Sequence, residues 1–164
     1  MSEAPIRVRA AGRKDLDALG ALYLKAARAF AAKDEAYALA LDAGRMWREH
    51  IEDGLKEERI RVLVTESGAR QVVSFLVARV APSPPGAARP LAGLIEGAFV
   101  EEAFRKQGRL KAMVDEAMRW LTFKRVPSVD LIADLRDESA RAAWKALGFA
   151  DVQAVMRRTV PPSD

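Results

Sequence analysis

Cysteine is absent from this chain of 164 residues, which excludes disulfides, thiolate metal sites and a thiol nucleophile. Histidine occurs once, as His50 in the charged stretch "WREHIED", without a second imidazole or a clustered ligand set. We therefore interpret His50 as a surface residue. No Gly-x-Ser-x-Gly pattern offers an activated serine. Any group transfer by this protein is expected to need neither a metal ion nor a covalent protein intermediate.

Long hydrophobic runs are also missing. No stretch approaches the ~20 apolar residues of a membrane span, and the N-terminal "MSEAPIRVRAAGRKD" lacks the apolar core of a secretion signal. These absences predict a cytoplasmic protein with no membrane partner. The net charge of +4 is spread along the chain and permits a phosphate-bearing ligand as readily as nucleic acid. Nucleic acid ranks last because no reading helix or basic and aromatic platform is recognised.

What is present, half hydrophobic and 30% charged residues, is typical of one globular domain spanning residues 1–164. Apolar periodicity predicts strand, two helices, three strands, helix, strand, helix, strand. This order indicates an α/β fold in which a central mixed sheet is flanked by about four helices. The predicted strands are "IRVRA", two runs around Ser67-Gly68, "LAGLIEGAFV", "SVDLIADL" and "VQAVMRRTV"; the predicted helices are 14–32, 34–56, the stretch after Gly108, and "DESARAAWKAL".

The stretch "VEEAFRKQGRLKAMVDEAM" begins a helix in an unusual way. Its core-facing stripe is predicted at Leu110, Met113, Val114, Ala117, Met118 and Leu121, with charged residues on the other side. A helix start offers unpaired backbone N–H groups, and a glycine lets a ligand approach them closely. The groups predicted to form an anion site here are Arg105, Lys106, Gln107, Gly108, Arg109 and Lys111. The alternative is an ordinary solvated helix start with glycine in the turn.

Three motifs in the correct order resemble the GNAT superfamily of acetyl-CoA-dependent acyltransferases. They are "RKQGRL" within "IEGAFVEEAFRKQG", the opening "IRVRAAGRKDLDALGALY", and "ARAAWKALGF". The family's pyrophosphate loop reads Q/R-x-x-G-x-G/A, which matches Arg105 and Gly108. Leu110 departs from it, because the family most often has Gly or Ala there.

The resemblance implies that the backbone amides from Gln107 to Lys111, including that of Leu110, hold the pyrophosphate of acetyl-CoA. It also implies that pantetheine pairs with Ala98, Phe99 and Val100, where the fourth and fifth strands splay apart. The partners it implies are acetyl-CoA and an amine acceptor of unreadable identity; a homodimer is left open.

Glu96 is the predicted general base. By alternation it shares a strand face with Leu94, Ala98 and Val100, and apolar surroundings make a carboxylate more basic. Family members often have Glu at this position. The alternative is that Glu96 lies on an exposed face or pairs with an arginine.

The general acid departs from the family pattern. Trp144 replaces the family's Tyr, and an indole N–H cannot donate a proton at useful pH. Asp137 replaces the usual Asn and is assigned to the cofactor site by position, although helix N-cap is its favoured role. The resulting prediction is direct acetyl or short-acyl transfer to a primary amine. The alternative is a catalytically weak or inactive acyl-CoA-binding regulator.

Overall fold

The computed structural model describes residues 5–162, which form two compact units: residues up to Ile132, and residues from Ala133 onward. The first unit contains strands β1 (Val8–Ala10), β2 (Ile60–Glu66), β3 (Val72–Pro82), β4 (Leu91–Val100) and β5 (Val129–Leu131), and helices α1 (Leu16–Ala31), α2 (Ala43–Lys56) and α3 (Arg109–Phe123). The second unit contains α4 (Glu138–Ala146). Among the described residues, no helix combines the length and the apolar character needed to cross a membrane.

The five strands form one mixed sheet in the order β1-β2-β3-β4-β5. The first four are antiparallel neighbours, and β5 is parallel to β4 because α3 carries the chain back to the end of the sheet at which β4 begins. The mixed α/β sheet with four helices confirms the predicted fold class. The expected turn at Ser67-Gly68 connects β2 to β3, and the Pro-rich segment is a loop between β3 and β4.

Alternate residues of the central strands build a core on each face of the sheet. On one face, α1 and α2 contribute Leu19 and Ile51 to a cluster with Val64 and Phe75. On the other face, the Ser74 hydroxyl lies 3.6 Å from the Met113 sulfur of α3 and 2.5 Å from the Thr65 hydroxyl. Burial of both apolar layers fixes which side chains each strand presents to each face.

The stripe predicted for α3 is correct at Met113, Val114, Ala117 and Leu121, which are buried. Met118, however, is 43% exposed, and Trp120, which was not in the predicted stripe, is buried. Leu110 is only partly buried at the helix start. The stripe is therefore rotated slightly toward Trp120, whose large ring gains most from burial.

The last predicted strand is wrong. Residues 152–160 have no strand partner among the described residues, and Val152, Val155, Met156 and Val160 are all more than three-quarters exposed. The preceding strand is also shorter than "SVDLIADL", since only Val129–Leu131 pairs with β4. Alternating apolar residues favour a strand, but ladder hydrogen bonds also require a neighbour that local sequence cannot specify.

The second unit is organised around α4. Asp137 is its N-cap, with its side chain accepting a 2.9 Å hydrogen bond from the Ala140 backbone N–H. After the helix, Gly148 adopts a left-handed φ of 92° that an L-residue disfavours, and the chain turns so that Phe149 lies edge-on to Trp144. The predicted helix, its capping aspartate and its glycine stop are therefore confirmed.

Candidate active site

The loop before α3 presents backbone N–H groups at the end of β4. Gly108 is the N-cap of α3 and has a left-handed φ of 81°, and Lys106 has a φ of 58°. Within the described chain, the first amide of α3 to be hydrogen-bonded is that of Ala112, which donates to Gly108 O at 3.0 Å. Left-handed residues and free amides at a helix start are the elements from which anion-binding concavities are made.

The cationic side chains of the loop differ in what they contact. Arg109 donates to the Thr65 hydroxyl at 2.9 Å and to the Glu66 carbonyl at 3.1 Å, so its guanidinium fastens α3 to β2. Arg105 donates from Nε to Val100 O at 3.0 Å and lies over the Phe99 ring. A charge contribution of the Arg109 side chain to an anion site therefore stays a prediction, which would require it to leave these two partners.

The remaining polar side chains of the loop are exposed. Lys111 pairs with Asp115 one turn along α3, and Gln107 donates to the Ala103 carbonyl at 3.3 Å. Lys106 is exposed at its left-handed position. Exposed cations of this kind can swing toward an anion at little cost, because pairs in water contribute little.

The edge of β4 is open toward β5 along its second half. The two strands pair only from Gly93↔Val129 to Ile95↔Leu131, whereas β4 continues to Val100. Ala98, Phe99 and Val100 remain paired with β3 on their other side. The ladder stops because β5 ends at Leu131, so the splaying apart of the two strands stays a prediction; an extended ligand could add to the edge of β4 beyond Ile95 by main-chain hydrogen bonds.

A β-bulge places Glu96. Val77 pairs with Gly97 and the next residue, Ala78, pairs with Ile95, so Glu96 is the extra residue of β4. A bulge shifts the alternation of side chains, and the predicted shared face of Glu96 with Ala98 and Val100 is therefore wrong. Glu96 keeps the face of Leu94, which pairs with Arg79, and its contact with His50 shows that this is the α2 side of the sheet; the bulge moves Ala98 and Val100 to the opposite face.

The Glu96 carboxylate lies in a cluster of charged groups rather than in apolar surroundings. Its Oε1 is ion-paired with Nε of Arg79 from β3, and its Oε2 lies 3.0 Å from Nε2 of His50 from α2. The Glu96 side chain is 22% exposed. Pairing with an arginine was the alternative interpretation, and it is the arrangement that the structure has.

His50 and Arg79 were missed by the sequence analysis. His50 follows Trp47 and precedes Ile51 on α2, and both of these neighbours pack against the core, so His50 lies at the border of the buried stripe. That helical spacing was the available signal. Arg79 carried no signal of its own, since β3 is otherwise an apolar strand. Between residues 5 and 162, no group of three or more potential ligands is arranged to hold a metal ion.

A second ionic network joins β1 to the end of β2. Arg9 donates bidentately to Asp15, at 2.8 and 2.9 Å, and from two nitrogens to Glu66 Oε1, at 2.6 and 2.8 Å. The Gly12 backbone N–H also donates to Asp15, at 2.9 Å. The hydrogen bonds from Arg9 hold the pKa of Asp15 below its ordinary value, although burial opposes this, and the same contacts raise the pKa of Arg9.

This network borders a cavity of about 1000 Å³ that also touches Arg109 and Glu101, beside the loop before α3. The carboxylates that line the cavity are already paired: Asp15 and Glu66 with Arg9, and Glu101 with Lys25 at 2.5 Å. The side chain of Glu96 is not part of its lining. The cavity and the Glu96 cluster are therefore separate polar regions of the first unit.

No protein-family model matches this sequence, and no curated protein sequence matches it significantly. Solved structures do. The BH1408 protein from Bacillus halodurans, solved as a tetramutant, superposes with a TM-score of 0.82 at 15% identity, over 94% of this chain and 99% of that one. A predicted acetyltransferase from Clostridium acetobutylicum, solved with acetyl-CoA, superposes with a TM-score of 0.76 at 17% identity, over 94% of this chain and 96% of that one.

An aminoglycoside antibiotic 6'-N-acetyltransferase, AAC(6')-IG from Acinetobacter haemolyticus, gives a TM-score of 0.73 at 19% identity, over 96% of this chain and 99% of that one. The chain has the GNAT acetyltransferase fold. Because these identities lie between 15% and 19%, what the GNAT-fold neighbours share with this chain is the path of the backbone.

Proposed function

We propose that this protein is an N-acetyltransferase that moves an acetyl or short acyl group from acetyl-CoA to a primary amine. The observation that carries the proposal is the open edge of β4, which leads directly into a left-handed Gly108 and the free amides of α3. An extended pantetheine chain and a diphosphate need these two features side by side. The GNAT-fold neighbours support the proposal, since one was solved with acetyl-CoA and another is named as an aminoglycoside N-acetyltransferase.

In the proposed complex, the backbone amides from Gln107 to Lys111 bind the pyrophosphate, and the positive end of the α3 dipole adds to the attraction. The edge of Ala98, Phe99 and Val100 pairs with pantetheine. Arg105 contributes charge at the loop, once it exchanges Val100 O for a phosphate oxygen. Asp137 stays a predicted cofactor contact whose observed role is to cap α4.

The proposed chemistry is direct attack of the amine nitrogen on the thioester carbonyl. Glu96 takes the proton that the amine loses, either directly or through a water molecule, and the backbone N–H of Val100 stabilises the oxyanion. The C–S bond then breaks and CoA leaves as a thiolate. No described side chain is assigned as its general acid; Trp144, at the family's Tyr position, cannot protonate it.

The second candidate function is an acyl-CoA-binding regulator without turnover. Two observations favour it: Trp144 stands in place of the family's Tyr, and the Glu96 carboxylate is already engaged in an ion pair with Arg79. Both functions require acetyl-CoA binding. Release of free thiol across a panel of amines, including an aminoglycoside, a polyamine and a peptide with a free N-terminus, separates them.

Calorimetry with acetyl-CoA tests the shared binding step. Gly108→Trp should abolish binding, because its side chain would stand where phosphate must approach the amides. Gly86→Trp is the matched control, since Gly86 has nearly the same left-handed φ, 85°, in the loop between β3 and β4. Both substitutions strain the backbone to a similar degree, but only the first should affect the ligand.

Equal affinities of the folded Gly108→Trp and Gly86→Trp variants would place the site elsewhere. Failure of the wild-type protein to bind acetyl-CoA at all would remove both candidate functions together.

A further inference from the structure

The imidazole of His50 has more partners than one protonation state can satisfy. Its Nε2 lies 2.7 Å from Nη2 of Arg79, which can only donate, and 3.0 Å from Oε2 of Glu96, which accepts when ionised. A neutral His50 with a bare Nε2 accepts from Arg79, whereas a protonated Nε2 donates to Glu96. A donor and an acceptor therefore compete for the same ring nitrogen.

The groups that face His50 come from two strands. Arg79 belongs to β3 and Glu96 to β4, and they are ion-paired with each other. On α2, the neighbouring carboxylates have other partners: Glu49 accepts from Arg45 at 2.8 Å and Asp53 from Lys56 at 3.0 Å. The side chain of His50 is 43% exposed, so the ring contacts solvent as well as Glu96.

We propose that His50 is the second proton acceptor in a proton relay: it takes the amine proton from Glu96 and releases it to solvent. The inference rests on the proposed acetyltransferase function and adds a residue to it. The ion pair with Arg79 holds the Glu96 carboxylate in place beside His50. The Nε2 of His50, 3.0 Å from Oε2, is the nearest described side-chain nitrogen that can accept that proton when it is bare.

In the relay, one proton passes from the amine to water in three transfers, and a tautomer exchange then restores His50. The amine proton moves to the Glu96 carboxylate as the C–N bond to the acyl carbon forms. The protonated Oε2 then donates to the bare Nε2 of His50, which leaves carboxylate and imidazolium as an ion pair. The proton on Nδ1 passes to water, and exchange with water returns the ring to the tautomer with a bare Nε2.

The relay is tested by measuring turnover with one amine. The proteins compared are wild type, His50→Gln, His50→Ala and the control Glu49→Gln. The glutamine of His50→Gln keeps a hydrogen-bonding side chain but cannot accept a proton. We therefore expect turnover to fall about tenfold or more while acetyl-CoA affinity is unchanged. Added imidazole should restore part of the turnover of His50→Ala, because the position is open to solvent. Glu49→Gln, on the same helix, should behave as wild type.

The pH profile provides a readout that a structural role would not change. Wild-type turnover should fall in acid, because a His50 that has taken up a proton from solvent cannot accept one from Glu96. His50→Gln should lose this limb, while the limb due to the amine itself persists in both proteins.

Full turnover of His50→Gln with the wild-type pH profile, and no rescue of His50→Ala by imidazole, would overturn the relay alone. The proposed function fails by a different result: wild type that releases no thiol with any amine, or Glu96→Gln that retains wild-type turnover. The two failures are therefore distinguishable.

Discussion

Two ionic networks of this molecule are each built around one arginine. They differ in whether every hydrogen-bond donor has an acceptor of its own, which we call matched, or two partners compete for one atom, which we call contested. In the Arg9 network, the guanidinium donors meet carboxylate oxygens of Asp15 and Glu66, and Asp15 is 6% exposed. In the Arg79 network, His50 offers one nitrogen to both a donor and an acceptor. A matched network stabilises one arrangement, whereas a contested one has two, and the second kind is suited to proton transfer.

The largest effect expected from this difference is on turnover. Glu96→Gln should lower thiol release about 100-fold, a typical contribution of general base catalysis, because the amide cannot accept the amine proton. Acetyl-CoA affinity and thermal stability should change little. A folded variant with wild-type turnover would show that the contested network has no role in the chemistry.

The matched network should respond in the opposite way. Asp15→Asn removes the charge that accepts from Arg9 and the Gly12 amide, so it should lower the free energy of unfolding by about 2 kcal/mol, in the range of hydrogen bonds to charged groups. Turnover per folded molecule should stay at the wild-type level. Denaturant unfolding and thiol release, measured on the same samples, check both; an unchanged unfolding midpoint would contradict the structural role.

Acid should erase the difference between Asp15→Asn and wild type. The folded pKa of Asp15 lies below its ordinary value of 3.8, so the stabilisation is present above that value and is lost as the pH falls through the folded pKa. The stability deficit of the variant should therefore be constant above about pH 5 and should shrink at lower pH. Unfolding curves at a series of pH values measure this, and a deficit that grows in acid would reverse the assigned sign.

The smallest effect is expected at a cation outside both networks. Arg105→Ala should weaken acetyl-CoA binding only about threefold, as is usual for an exposed charge, and should leave acetyl-pantetheine without the diphosphate unaffected. Arg119→Ala, an exposed arginine further along α3, is the control. Equal losses for both ligands would mean that Arg105 acts through its hydrogen bond to Val100 O.

Much of the fold could be predicted because its elements carry strong local patterns. β4 has the predicted bounds, Leu91–Val100, and α3 starts directly after the glycine that suggested its N-terminus. The wrong predictions of secondary structure lie where contacts with other segments of the chain decide the conformation. Residues 152–160 alternate like a strand but have no partner in the described chain, and the 3₁₀ turn Glu35–Tyr37 stands apart from α2.

The sequence by itself determined the candidate binding loop, because Gly108, the helix start and the strand before it are adjacent in the chain. Only the tertiary structure decided the candidate chemistry. Packing of α2 brings His50 to Glu96 and pairing of β3 with β4 brings Arg79, from 46 and 17 residues away, while one extra residue in β4 moves Ala98 and Val100 off the face of Glu96. Alternation along a strand predicts which face of the sheet each side chain occupies. A bulge shifts this alternation, and its position depends on pairing with another strand.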